Sequence, residues 1–314
     1  MTYTKEILKA LQNNIEKVIV GKSNAINLVL IALLGRGHVL IEDVPGVGKT
    51  TMVSSLAKSL DLSFKRIQFT PDVLPSDITG FSMYNIKTGE MDFHSGLIMS
   101  HIILADEINR TSPKTQSSLL EVMEEGQVTV DGKTYLLPKP FMVLATQNPV
   151  EYVGTFPLPE AQLDRFFLKV SIGYPNISEE ISMLSRFQHK NPIVDLSPVA
   201  KAEDILELQK ATSNIIVADE IKEYIAQIVY CTRNHEDIVL GVSPRGSIFL
   251  MRAAQGYALL QNRDYVIPDD VQKMVIPVLS HRLILKPESK LKDITPAHVL
   301  ESIIDSIYIP VVKL

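Results

Sequence analysis

The chain of 314 residues has a single cysteine, Cys231, so neither an intrachain disulfide framework nor a Cys-rich zinc site is open to it. That thiol stands in the apolar run Ile228-Val229-Tyr230, which predicts a buried and inert cysteine. Histidine is sparse as well. The seven present show no close ligand spacing, which argues against a His-type metal centre. Long apolar runs are missing: the longest, 28–34, falls far short of the roughly 18–20 residues that a spanning helix needs. The N-terminus mixes charged and apolar residues (Lys5-Glu6-Ile7-Leu8-Lys9) and carries no signal-peptide core, so a soluble cytoplasmic protein is expected. Nor does positive charge dominate. The 31 Lys plus Arg against 36 Asp plus Glu leave −5, which disfavours generic coating of nucleic acid. What remains is a globular composition, 46% apolar and 21% charged, at a length that suggests two domains and needs no staple.

Apolar spacing predicts an amphipathic helix over the first twenty residues and a second over 23–34. Apolar runs then alternate with helix-like segments. Residues 38–41, 64–69, 102–105, 141–146 and 167–170 read as strands, and 50–60 as a helix. Strands apolar on both faces and separated by helices indicate an α/β fold, a parallel sheet covered on both sides. Two stretches interrupt the alternation as hairpins: 80–96, turning at Thr88-Gly89-Glu90, and 127–137, turning at Asp131-Gly132. Beyond Gly173 only helices are expected, so the chain divides into an α/β domain, 1–172, and a smaller all-α domain, 173–314.

The sharpest local signal is Pro45-Gly46-Val47-Gly48-Lys49-Thr50, followed by Thr51, between a strand and a helix. Glycines there let backbone N–H groups face phosphates, and the helix N-terminus favours anions. Lys49 would reach the β- and γ-phosphates and the Thr50 hydroxyl would ligate Mg²⁺. Asp43 departs from the usual pattern, which has glycine at that position. The strand 102–105 runs into Asp106-Glu107, two carboxylates suited to a metal shell and to polarising an attacking water; capping of the next helix is the plainer alternative. Asn148, in Ala145-Thr146-Gln147-Asn148-Pro149, can orient that water or simply start a turn. Arg165 lies beside Asp164 and buried aromatics, where a structural ion pair between the two competes with a catalytic role. Ser243 and Pro244 open a helix, and Arg245 in its first turn opposes the dipole, which suggests an anion partner.

Taken in order, PGVGKT, ILADEINR, ATQNP, LPEAQLDRF and GVSPRG resemble the MoxR family of AAA+ ATPases over nearly the whole chain. The resemblance implies an AAA+ P-loop core with a helical lid, and Mg²⁺-dependent ATP hydrolysis that remodels or matures partner proteins. By it, Lys49 and Thr50 belong to Walker A, Asp106 and Glu107 to Walker B, Asn148 to sensor 1, Arg165 to the arginine finger and Arg245 to sensor 2. Gln68 becomes a restraint on Glu107 between cycles, and 80–96 the helix-2 insert. Implied too are a hexameric ring with ATP at subunit interfaces and separate partners, some with von Willebrand factor A domains. Val20 and Gly21 are taken as adenine contacts because they lead into the domain near the loop. Two other classes compete. A nucleic-acid motor would use Lys87, Lys133 and the hairpin aromatics, although the net charge argues against it. A nucleotide-gated switch with slow turnover is the other; a guanine switch lacks its Asn-Lys-x-Asp motif.

Overall fold

The computed structural model describes residues 2–148, 154–188 and 191–311. Its α/β part begins with α1 (Thr2–Glu16) and α2 (Ser23–Leu34) and continues through β1 (Val39–Glu42), α3 (Lys49–Ser59), β2 (Phe64–Gln68) and α4 (Pro75–Thr79). A hairpin, β3 (Gly80–Asn85) and β4 (Glu90–Ser95), precedes β5 (Ile102–Asp106) and α5 (Pro113–Glu125). A second hairpin, β6 (Gln127–Val130) and β7 (Lys133–Leu136), precedes β8 (Met142–Gln147), α6 (Glu160–Leu163) and β9 (Leu168–Val170).

Five strands form a parallel sheet in the order β2-β5-β8-β1-β9. Successive residues of its central strands serve different cores. Val39 and Ile41, Ile102 and Leu104, and Met142 and Leu144 join the larger cluster with α1 to α3. Leu40, Ile103, Ala105, Val143 and Ala145 face the smaller one, built with α5. That two-sided burial is why these strands read as unbroken apolar runs. The sheet's carboxyl ends, where Glu42, Asp106 and Gln147 finish their strands, share one edge, the place where open α/β sheets gather ligands.

After β9 come α7 (Ile177–Phe187), α8 (Ala202–Ser213), α9 (Asp219–Arg233), α10 (Pro244–Leu260), α11 (Pro268–Leu279), α12 (Pro287–Lys290) and α13 (Pro296–Ser306). The expectation of helices alone is corrected here: β10 (Ile238–Leu240) and β11 (Ile284–Leu285) pair antiparallel. Strands of three and two residues are too short for a periodic signal, and their partners lie far apart in sequence. α2 is apolar on every side, with nine of its 12 residues buried, because it lies between sheet and helical part. Cys231 is only half-buried, packed against the rim of the larger core rather than inside it. Among the described residues no helix is long and apolar enough to cross a membrane.

Candidate functional site

Past Glu42 the chain leaves the sheet, turns through 45–48 and enters α3 at Lys49. Gly46 and Gly48 have φ of +85° and +91°, and nothing lies within 4 Å of a Cβ built at either. Backbone conformation, not crowding, calls for glycine there, and the hollow inside the turn stays open. The first N–H groups of a helix have no intrahelical acceptor, so the start of α3 favours an anion at this hollow. The Lys49 ammonium lies along its own loop, donating to the carbonyls of Asp43 (2.9 Å) and Val44 (3.3 Å).

Across the hollow, β5 delivers the two carboxylates. The Asp106 Oδ1 accepts the Thr146 hydroxyl at 2.6 Å, and Oδ2 accepts Arg66 Nη2 at 2.6 Å and Nε at 3.1 Å. Glu107 follows with φ +57°, uncommon outside glycine, and turns the chain into the short 3₁₀ helix Ile108–Arg110. Its N–H donates to Thr146 Oγ1 (2.8 Å), and its Oε2 accepts Gln68 Nε2 (2.7 Å) and Arg110 Nη1 (3.2 Å). The Gln68↔Asp106 register between β2 and β5 makes the Gln68 contact possible. Asn148, buried just past β8, closes the far side.

Pro45, Gly46, Gly48, Lys49, Thr50 and Thr51 thus share one cavity of about 380 Å³ with Asp106, Glu107 and Asn148. Arg66 and Gln68 line it too. Val47 packs on the larger core instead. Val20 and Gly21 do not line the cavity; Gly21 sits against the Glu179 side chain of α7. Pro149 of the same motif lies outside the described residues.

Arg165 and Arg245 are elsewhere. They converge on Glu124 of α5, Arg165 Nε at 3.4 Å from Oε2 and Arg245 Nη2 at 2.5 Å from Oε1. With Arg36 and His38 they line a separate cavity of about 180 Å³. The Asp164–Arg165 ion pair weighed from the sequence is therefore replaced: Asp164 binds Arg282 Nε (2.9 Å) and accepts the Ser243 hydroxyl (2.9 Å), tying β9's approach to the helical part. Burial lowers the Arg282 guanidinium to about 10 against the pull of Asp164, and it stays charged at neutral pH. His38 is buried and neutral. Burial pushes it down to about 4, its Nδ1 accepting the Val143 N–H and its Nε2 facing the Met123 carbonyl.

Sequence reasoning singles out neither Arg66 nor Glu124 nor Arg36, and it notes Asp43 only as a departure from the loop pattern. Asp43 is the informative one. Its Oδ2 accepts the N–H groups of Ile172 and Gly173 (3.0 Å for the latter) and the Ser171 hydroxyl (3.3 Å), so it joins the loop to the segment leaving β9. A side chain with that task explains why glycine is absent. The periodicity reading also assigns no helix to α5, although Ser112 accepting the Thr115 N–H, Pro113 in the first turn and Gly126 in the left-handed C-cap are readable end signals.

The donor set suits magnesium. A threonine hydroxyl and one carboxylate beside a phosphate-sized hollow are hard oxygen ligands, and Mg²⁺ takes few protein ligands when phosphate supplies the rest. Among the described residues no group of three His, Cys, Asp or Glu forms a metal cage of its own.

Comparison with known proteins adds sequence evidence. The model for the ATPase family associated with various cellular activities (AAA) matches residues 38–168, and that for an AAA lid domain matches 231–303. Uncharacterized protein YeaC of Bacillus subtilis is 58% identical over 95% of this chain and 93% of its own. Chaperone MoxR1 of Mycobacterium tuberculosis is 39% identical over 95% of this chain and 81% of its own. A crystal structure from Cytophaga hutchinsonii, assigned provisionally as an ATPase, superposes with a TM-score of 0.92 at 39% identity, covering 98% of this chain and 96% of that one.

Proposed function

This chain belongs to the MoxR family of AAA+ ATPases, and from that premise we propose that it works as a ring, hydrolysing Mg·ATP between subunits to remodel partner proteins. ATPase chemistry and a chaperone-like family are the ground; ring, site roles and clients are the proposal. One observation carries it. The Lys49 loop, Asp106, Glu107 and Asn148 share one cavity, while Arg165 and Arg245 meet at another around Glu124. A second copy that brings the arginine face to the Lys49 cavity would complete the set.

In that reading the loop N–H groups and Lys49 hold the β- and γ-phosphates, and Asn148 and Glu107 position the water, with Glu107 taking its proton. Magnesium, held by Thr50 and Asp106, neutralises charge on the phosphate oxygens when bound. Arg165 and Arg245, released from Glu124, would stabilise the transferring oxygens of the neighbouring nucleotide. Val20 and Gly21 are proposed as adenine contacts, with 1–172 as the nucleotide domain and 173–314 as the lid. That the five-stranded parallel sheet ends at Val170 supports that division. Partner proteins, including adaptors with von Willebrand factor A domains, and a cytoplasmic setting follow from the family resemblance. The exposed Met83, Tyr84, Ile86 and Met91 on the first hairpin support a client-facing role there, and the acidic balance disfavours nucleic acid.

Mixing two inactive proteins tests the reading. Arg165→Ala and Lys49→Ala should regain part of the ATPase activity once their subunits exchange, because some interfaces then pair an intact Arg165 with an intact Lys49. An arginine finger contributes roughly 10³–10⁵ in rate, so the recovery stands well above either parent. A dead mixture with proven exchange would place Arg165's action within its own subunit.

A further inference from the structure

We infer that Arg66 is the resident counter-ion of Asp106, which a divalent cation displaces, and that its departure loosens the hold that Gln68 has on Glu107. The inference rests on Asp106 being a metal ligand, as proposed above.

Both Asp106 oxygens are engaged, but by unlike donors. Oδ1 takes a neutral hydroxyl from Thr146, while Oδ2 takes two N–H groups of one guanidinium. A guanidinium and a divalent cation compete for the same lone pairs and repel each other, so Arg66 must leave Oδ2 when a metal binds there. It is built to leave. The Arg66 side chain is 47% exposed against 12% for Asp106, so its charge returns to water easily while the carboxylate stays in place. Strand pairing does not depend on the contact either, since β2 and β5 register from Phe64↔Ile102 to Gln68↔Asp106.

The second half follows from one atom. Arg66 Nη2, which binds Asp106, also donates to Gln68 Oε1 at 2.7 Å. A guanidinium only donates and an ionised carboxylate only accepts, so the Gln68 amide has one orientation that satisfies both neighbours: Oε1 toward Arg66 and Nε2 toward Glu107. Asp106, Arg66, Gln68 and Glu107 therefore form a chain of charge-assisted hydrogen bonds along the rim of the cavity. With Arg66 gone, the Gln68 carbonyl loses its donor and the side chain is anchored at Nε2 alone. Its hold on Glu107 loosens, while Arg110 stays as the other donor to Oε2. Metal arrival at one carboxylate thus readies the other, and Arg66 is a positioning residue in that relay.

The test measures Mn²⁺ binding by electron paramagnetic resonance on the full chain with a non-hydrolysable ATP analogue. Arg66→Gln and Arg66→Ala should bind Mn²⁺ about 2- to 5-fold more tightly, the amount a half-exposed ion pair can withhold. Arg66→Lys, which keeps charge but not the fork, should fall between them and the parent. Basal turnover should rise in Arg66→Gln and in Gln68→Ala, and the double variant should match Gln68→Ala rather than add to it. Asp106→Asn is the control. If it weakens Mn²⁺ binding while the Arg66 variants leave it unchanged or weaker, Arg66 is not the competitor and the inference fails. Additive rates would refute the relay through Gln68. If Asp106→Asn leaves Mn²⁺ binding unchanged, Asp106 is not a ligand and the inference falls together with that reading.

Discussion

Lys49 rests on the carbonyls of Asp43 and Val44, so its ammonium already lies along the loop that a nucleotide would fill. Removing it takes away a charge-assisted contact worth ~1.5–3 kcal/mol. Lys49→Ala should therefore weaken ATP binding by roughly 10- to 100-fold. Calorimetry on the folded variant checks this, and unchanged affinity would remove Lys49 from the site. Glu107→Gln should behave differently. The amide keeps the volume and can still meet Gln68 and Arg110, so ATP binding persists, but an amide cannot take a proton. Turnover should fall by roughly 10²–10⁴ with affinity retained. Hydrolysis at the parent rate would reduce Glu107 to a helix cap.

The two hairpins form a unit that their sequences do not announce. Phe93 on β4 stacks on Tyr135 of the second hairpin's β7, with ring centroids 3.9 Å apart and planes 13° off parallel. The outer part of β3 and β4 is left with apolar side chains in water; Ile86 at the turn is 89% exposed. Such a patch costs solubility unless something binds it. Replacing 84–90 by a short Gly-Ser turn should spare basal turnover, because the stack and the cavity residues are untouched, and abolish stimulation by a client protein. Equal stimulation before and after would move client contact elsewhere.

Buried polar contacts hold sheet and helical part together, and two buried histidines respond to pH. His281 reaches the Phe166 carbonyl across the two parts, whereas the partners of His38, Met123 and Val143, lie within the α/β part. Besides His38, His281 is pushed well below its ordinary range by burial and by the adjacent Arg282. For His38 the folded pKa, about 4, lies below the ordinary 6.5. Between those values the unfolded chain binds a proton that the folded chain refuses, so stability is complete above pH 6.5 and declines as pH falls toward 4. At ~1.4 kcal/mol per unit, His38 accounts for roughly 3 kcal/mol of that loss. Gln can replace both of its hydrogen bonds without titrating. His38→Gln should flatten the stability–pH curve between pH 6 and 4.5 in urea unfolding experiments. An unaltered slope would mean that His38 protonates without cost.

Local chemistry was legible in the chain itself. Glycines at 46 and 48 permit the left-handed turn that the loop takes, and a strand apolar on both faces suits a covered parallel sheet, so loop, carboxylate pair and α/β class follow from near neighbours. Pairings across long separations were not. Arg66 meets Asp106 over 40 residues, Arg245 meets Glu124 over 121, and Asp43 meets Ile172 over 129. In sequence each of these is one charge among many, compatible with water as a partner. Strand register and the docking of the helical part decide which charges come within reach, because only a folded backbone excludes the solvent that would otherwise satisfy them.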